Sequence, residues 1–160
     1  MRKIISNTTP ILSLLKIDKL EILKELYGKI IIPYAVYLEI ENGKHKKYYK
    51  DLRQEKWIII KEITDKKSRI FFLDLDEGEA EVLILAKELG ADLVILDEII
   101  GRRYAKMLQI NLTGTLGILL KAKEKRIIKT IKPLLIELIK KGTWLNKKLM
   151  DKVLEIAEEK

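Results

Sequence analysis

The chain has 160 residues, 48% hydrophobic and 35% charged, enough for one domain with a substantial core under a densely charged surface. It has no cysteine and a single histidine, which excludes disulfides, thiolate or multi-histidine metal sites and a histidine-based triad. The formal net charge is +8 and only two glutamines occur among many Lys, Glu and Ile. No apolar run approaches a membrane span, and residues 1–6 are too short an apolar stretch for a signal peptide, so the expectation is a soluble, cytoplasmic protein of thermophile-like composition.

Residues 3–6 read as a first strand that ends in Asn7. Thr8-Thr9-Pro10 follows, and Pro10 opens a helix over 11–15, since proline is tolerated in a first turn. Asp18-Lys19-Leu20-Glu21 has the pattern of a capping box and starts a second helix, which Gly28 stops. Residues 29–32 read as the second strand and 33–41 as a helix ended by Asn42-Gly43. The charged segment 44–56 is expected to be helical, 57–60 is β-rich, and 61–74 reads as a strand-bearing loop. Residues 77–89 give the clearest amphipathic helix, with Ala80, Leu83, Ile84 and Ala86 on one side and Gly90 as its stop.

A strand at 93–96, a helix at 99–108, a short strand and turn at 111–114 and a helix from Thr115 follow. Two helices joined at Lys141-Gly142-Thr143 close the chain. Asn146 caps the last one, whose apolar set Leu149, Met150, Val153, Leu154 and Ala157 needs a partner surface. Alternation of this kind predicts an α/β fold: a three-layer α/β/α domain over 1–160 with a mainly parallel central sheet of four or five strands. The helices at about 131–160 are expected to cover one edge or form an interface.

Charge is unevenly spread. Residues 44–67 hold nine Lys/Arg against four acids, and residues 121–148 hold ten against two. Between them, residues 74–98 hold nine acids and one lysine. An acidic centre flanked by basic segments suits a metal-dependent site acting on a polyanion, although a solvated charged surface has the same composition.

Polar residues at the carboxyl ends of parallel strands are where open α/β sheets build their sites. Asn7 ends the first strand, and Leu93-Val94-Ile95-Leu96 ends in Asp97 with Glu98 behind it. Glu39 lies in the helix after the second strand, and Glu79 in the first turn of the helix begun by Asp76-Glu77-Gly78. Clustered carboxylates are tolerated when a cation neutralises them. Singly, each acid has an ordinary explanation: a first-turn acid such as Glu79 suits the helix dipole. Thr115 likewise reads as a plain N-cap. His45, within Lys44-His45-Lys46-Lys47, is expected to be solvated, and Tyr48 and Tyr49 to pack on the domain or to stack on bases. Trp57 and Trp144 read as core or interface residues. Gly114-Thr115-Leu116-Gly117 lacks the Lys-Ser/Thr of a P-loop.

Five segments carry a family resemblance: Ser6-Asn7-Thr8-Thr9-Pro10-Ile11; Ile31-Ile32-Pro33-Tyr34-Ala35-Val36 with Glu39; Gly78-Glu79-Ala80-Glu81 with Leu85-Ala86; Ile95-Leu96-Asp97-Glu98; and Thr113-Gly114-Thr115-Leu116-Gly117. In this order, with the tail from Lys132 to Leu154, the chain resembles a PIN domain over nearly its whole length. PIN domains form a metal-dependent ribonuclease superfamily that includes VapC-type toxins, and this chain is similar to a branch of small prokaryotic proteins described as predicted nucleic-acid-binding.

The resemblance implies a Mg2+- or Mn2+-dependent endoribonuclease. Asn7, Glu39, Glu79 and Asp97 fall on its four metal-binding positions, Glu98 or Asp76 support them, and Thr115 matches a polar position beside the catalytic set. It also implies single-stranded RNA as substrate, a small antitoxin as partner if the role is toxin-like, a homodimer, and no membrane partner. Asn7 departs from the pattern, which has an aspartate there. An amide oxygen can bind a cation but brings no charge and cannot act as a base. The alternative is therefore a catalytically weak or inactive PIN domain that binds nucleic acid or protein.

Overall fold

Isoleucine-rich runs form the centre of the molecule. The computed structural model describes residues 2–160. Strands β1 (Ile4–Ser6), β2 (Ile30–Pro33), β3 (Ile58–Lys61), β4 (Leu93–Ile95) and β5 (Leu112–Thr113) form one sheet in the order β3-β2-β1-β4-β5. Every pairing is parallel, with Ile5 beside Ile31 on one side of β1 and Ser6 beside Ile95 on the other. β1 is buried at all of its positions, as expected of a central parallel strand covered on both faces. The chain runs outward from β1 to β3 and then crosses back to β4, so the strand order reverses between β1 and β4. That reversal opens the crevice in which such sheets take ligands.

Helices α1 (Thr8–Lys16), α2 (Glu21–Tyr27), α3 (Tyr34–Glu41), α4 (Glu77–Leu89), α5 (Ile99–Met107), α6 (Thr115–Glu124), α7 (Lys132–Lys140) and α8 (Lys147–Ile156) flank the sheet. The result is the expected α/β/α layering with a sheet of five strands, all of them parallel. α4 is deeply set: Leu83 and Leu85 are fully buried, and Gly90 stops it in a left-handed conformation (φ 62°). No helix among the described residues is long and apolar enough to cross a membrane.

Several local expectations fail for identifiable reasons. Residues 44–56 are not a helix but a series of turns and a short 3-10 helix at Leu52–Gln54. There Asp51 accepts from the Arg53 N–H, Tyr49 donates to Glu41, and Lys16 lies over the Tyr48 ring, so side chains fix a path that helical periodicity does not describe. Segment 61–74 carries no strand beyond β3; a 3-10 helix spans Lys66–Phe72. The capping box at Asp18 does not form. Asp18 has φ 54°, and α2 is preceded by Leu20 with no side-chain cap. The first helix starts at Thr8 rather than beyond Pro10, because Asn7 is already its capping position.

The C-terminal helices dock on the body. Leu135 and Leu138 of α7 and Val153 and Leu154 of α8 are buried, while Leu149 stays 47% exposed. Glu159 fastens them: its carboxylate accepts from the N–H groups of Ile131 (2.8 Å) and Lys132 (2.9 Å) at the start of α7 and from Lys123 Nζ (2.9 Å). Most of the apolar stripe of the last helix is thus satisfied within the chain. Trp57 is buried as expected, whereas Trp144 is 81% exposed and belongs to no core.

Candidate active site

Asn7, the residue after β1, sits where the strand order reverses. It caps α1 in an extended conformation (φ −80°, ψ 173°), and its N–H donates to Ile95 O of β4 at 2.9 Å. Its side chain makes no capping bond; the residue is 2% exposed, and Oδ1 is buried without a hydrogen-bond partner. An acceptor left in that state costs roughly 1–3 kcal/mol. The position holds an unmet demand for a donor or a cation.

Glu39, on α3, is tied to both neighbouring segments. Its Oε2 accepts from the hydroxyl of Thr8, the residue after Asn7, and its Oε1 accepts from the Gly78 N–H at 3.1 Å, at the start of α4. Burial raises its pKa above the usual carboxylate range; the Thr8 and Gly78 bonds oppose the rise, and the charges of Asp76 and Glu77 add to it.

Glu79 lies one residue further along α4. Its N–H donates to the capping carboxylate of Asp76 at 2.8 Å, and the residue is 8% exposed. Its pKa is pushed up to about 8, first by burial, then by hydrogen bonding with the Asp76 carboxyl and repulsion from Asp76, Glu98 and Glu39. At neutral pH Glu79 therefore holds a proton. These acids lie within electrostatic reach of one another.

Asp97 follows β4 and is gripped by Thr115. The Thr115 N–H donates to Oδ1 at 2.7 Å, and its hydroxyl donates to Oδ2 at 2.6 Å. Thr115 is consequently not the N-cap of α6; Gly114 is, and Thr115 stands in the first turn with both donors aimed at the acid. Glu98 caps α5 at the exposed rim and accepts from Thr9 at 3.2 Å.

Each inner acid also rests against a glycine. A Cβ at Gly78 would lie 2.5 Å from Glu39 Oε1, one at Gly101 3.0 Å from Glu79 Oε2, and one at Gly114 2.5 Å from Asp97 Oδ1. These positions admit no larger residue unless the carboxylate moves. Arg102 flanks the same space: its Nη1 donates to Leu96 O at 2.7 Å and would be 3.1 Å from a Gly114 Cβ. Thr8, these glycines and Arg102 touch or flank the acids, contacts that sequence reasoning did not assign. Thr8 was within reach of it, as a hydroxyl beside a strand-end residue; Arg102 has no spacing signal.

Among the described residues, no three Asp, Glu or His side chains close on one point as a finished metal cage does. The donor chemistry nonetheless suits a hard divalent cation: all the side-chain donors are oxygens, one is an orphaned buried amide oxygen, and burial and neighbouring acids raise the pKa of one carboxyl to about 8.

The two basic segments come together elsewhere on the surface. Lys47 and Lys50 from the first and Lys141 from the second share a groove of about 600 Å³ with Lys16, Tyr48 and Tyr49. Lys50 is engaged with Glu55 at 2.7 Å. Tyr48 and Tyr49 also line an adjoining cavity of about 270 Å³ that reaches Glu39 and exposed His45. A family model for the PIN domain matches residues 3–159. No curated protein matches the chain.

Proposed function

The chain belongs to the PIN-domain family, whose members are generally nucleases, and from that premise we propose that it is a Mg2+- or Mn2+-dependent endoribonuclease acting on single-stranded RNA. The observation that carries the reading is that Asn7 and Asp97 follow the neighbouring strands β1 and β4 at the crevice, while Glu39 and Glu79 meet at the start of α4, with Asn7 Oδ1 unsatisfied and the Glu79 pKa pushed up to about 8. These four residues would hold the cation, with Glu98 at the rim. Once bound, the cation would supply a water activated for attack and stabilisation of charge on the phosphodiester.

The chain's own residues divide the remaining work. Thr8 and Gly78 orient Glu39, and Thr115 orients Asp97. The first turn of α6 points its N–H groups toward the crevice, which favours an anion there. Arg102 stands beside Asp97 to meet a phosphate oxygen. Glu79 keeps its proton until a positive charge arrives. The groove holding Lys16, Lys47 and Lys141 supports the reading as a path for the RNA backbone. A toxin-like role would add a small antitoxin encoded nearby, and a second copy of the chain is a separate expectation, checked by solution mass.

The deciding experiment incubates the pure protein with single-stranded RNA in Mn2+, with EDTA, and as Asp97→Asn. Cleavage lost in both controls supports the reading, and cleavage that persists in both belongs to a contaminant. One observation favours a second reading, a binding module without turnover. Asn7 contributes no charge where the family pattern has an aspartate, and both Asp97 oxygens are already hydrogen-bonded. Tight RNA binding without cleavage in any divalent metal would establish it.

A further inference from the structure

We propose that the cleft beside Asp97 is a nucleobase subsite, in which a base next to the phosphodiester held at the acids stacks on Trp144; this rests on the nuclease reading above and specifies its substrate as unpaired. Trp144, on the turn between α7 and α8, is 81% exposed. It lines a cleft of about 690 Å³ together with Asp97, Glu98 and Thr115. Leu116, Leu138, Ile99 and Leu149 give the same cleft an apolar lining.

The chemistry selects a base over other occupants. No lysine or arginine among the described residues lines this cleft, so it does not take a phosphate; the lysines lie in a different groove. Its lining is mostly apolar and includes the polar side chains of Ser13, Thr143 and Asn146 beside Asp97 and Glu98. A flat ring with polar edges matches that lining. The cleft is continuous with the acids, so a nucleotide whose phosphate sits at Asp97 has its base directed into it. In a duplex that base would be stacked and paired and out of reach of the indole. Because every base has a π-face, stacking on Trp144 tolerates sequence, with only weak preference from the edge groups.

Trp144 reports on the site directly, because the other tryptophan, Trp57, is only 6% exposed. Phosphorothioate-linked oligouridylate and oligoadenylate, and a base-less oligomer of the same length, are titrated in Mg2+ while Trp144 emission is followed. Saturable quenching by both base-bearing oligomers and none by the base-less one is expected. Read by anisotropy of end-labelled oligomers, which needs no indole, Trp144→Ala should weaken base-bearing oligomers on the order of 10-fold or more, Trp144→Phe should restore most of that, and neither should alter base-less binding. Equal quenching by the base-less oligomer, or wild-type affinity in Trp144→Ala, overturns the proposal. Quenching by a protein partner alone also overturns it and makes the cleft a protein-docking surface. Base-dependent quenching without RNA cleavage in any metal would leave the subsite standing and remove the nuclease reading. Cleavage indifferent to Trp144 would do the reverse.

Discussion

At the proposed metal site, binding a divalent cation requires Glu79 to release the proton that its raised pKa favours at neutral pH. With its pKa pushed up to about 8 by burial and by Asp76, Glu98 and Glu39, the ionised fraction is about 1% at pH 6, about 10% at pH 7 and about half at pH 8. Apparent affinity for Mn2+ should therefore climb by up to about tenfold per pH unit below 8 and level off above it. Calorimetric titration at pH 6.5 in two buffers of different ionisation enthalpy counts the protons released; about one is expected from Glu79, and the release should vanish at pH 9. Glu39, also raised, adds a smaller release at the lower end.

The same shift sets a stability trend in the metal-free protein. The folded-state pKa lies above the ordinary value of 4.5, so between the two the folded chain binds a proton that the unfolded chain does not. The stabilisation is complete below about 4.5 and is lost as pH rises through about 8. Glu79→Gln mimics the protonated carboxyl, so its melting temperature should not follow that fall, and its metal binding should be weak and lose most of its pH dependence. If Mn2+ binds with equal affinity at pH 6 and pH 8.5 and releases no proton at either, the picture of acids crowded without a counter-charge is wrong.

Asn7→Asp restores a charge at a position that is 2% exposed. Without metal it should destabilise by about 1–3 kcal/mol, and with Mn2+ it should bind metal more tightly and raise RNA cleavage. Thermal melts with and without Mn2+, beside a cleavage assay, test both halves, and an Asn7→Asp protein as stable as wild type in EDTA contradicts the burial cost. Gly114→Ala puts a Cβ 2.5 Å from Asp97 Oδ1; a loss of about 1–3 kcal/mol is expected, with a melting temperature lower by about 2–12 °C and weakened metal binding. An unchanged melt would show that Asp97 is not seated on that glycine. Glu159→Gln removes the charge that accepts from Ile131, Lys132 and Lys123, and should cost about 1 kcal/mol, screened because the groups border solvent. Burial alone would raise the Glu159 pKa, but those donors outweigh it and lower it, so the contribution is present above the ordinary carboxyl value and lost as acid protonates the group. A urea series at pH 7 and pH 3 should find the variant and wild type converging at the lower pH.

The sheet was legible because its strands are short, apolar and punctuated. The runs ending at Asn7 and Asp97 could hardly be anything but buried parallel strands, and their adjacency follows once β1 is central. Segment 44–56 was not legible, because its path is set by contacts such as Tyr49 to Glu41 and Lys16 to Tyr48, which local periodicity does not encode. Asp18 misleads for a related reason. The chain must reverse between α1 and α2, and aspartate is one of the few residues that accepts the left-handed conformation needed there, so a cap-like pattern marks a turn instead. In the site, strand-end position and the family pattern marked the acids. Their partners were hidden, since Thr8 and Gly78 reach Glu39 from 31 and 39 residues away and Thr115 reaches Asp97 from 18.

Those partners explain how an acidic cluster persists without a finished cage. Protein donors take the place of positive charge: Thr8 and Gly78 hold Glu39, Thr115 holds both oxygens of Asp97, and a proton neutralises Glu79. Each carboxylate oxygen accepting one bond keeps a second lone pair, so the same donors that stabilise the metal-free fold can stay in place and orient the acids toward a cation. What a cation must displace is the Glu79 proton, and what it gains is the otherwise unused Asn7 Oδ1. Compared with a site bearing an aspartate at position 7, this one gives up one charge of attraction but avoids burying a fourth carboxylate beside three others. At the proposed site the exchange lowers metal affinity and stabilises the metal-free fold, and the two effects have one cause, which is why Asn7→Asp should move both together and in opposite directions.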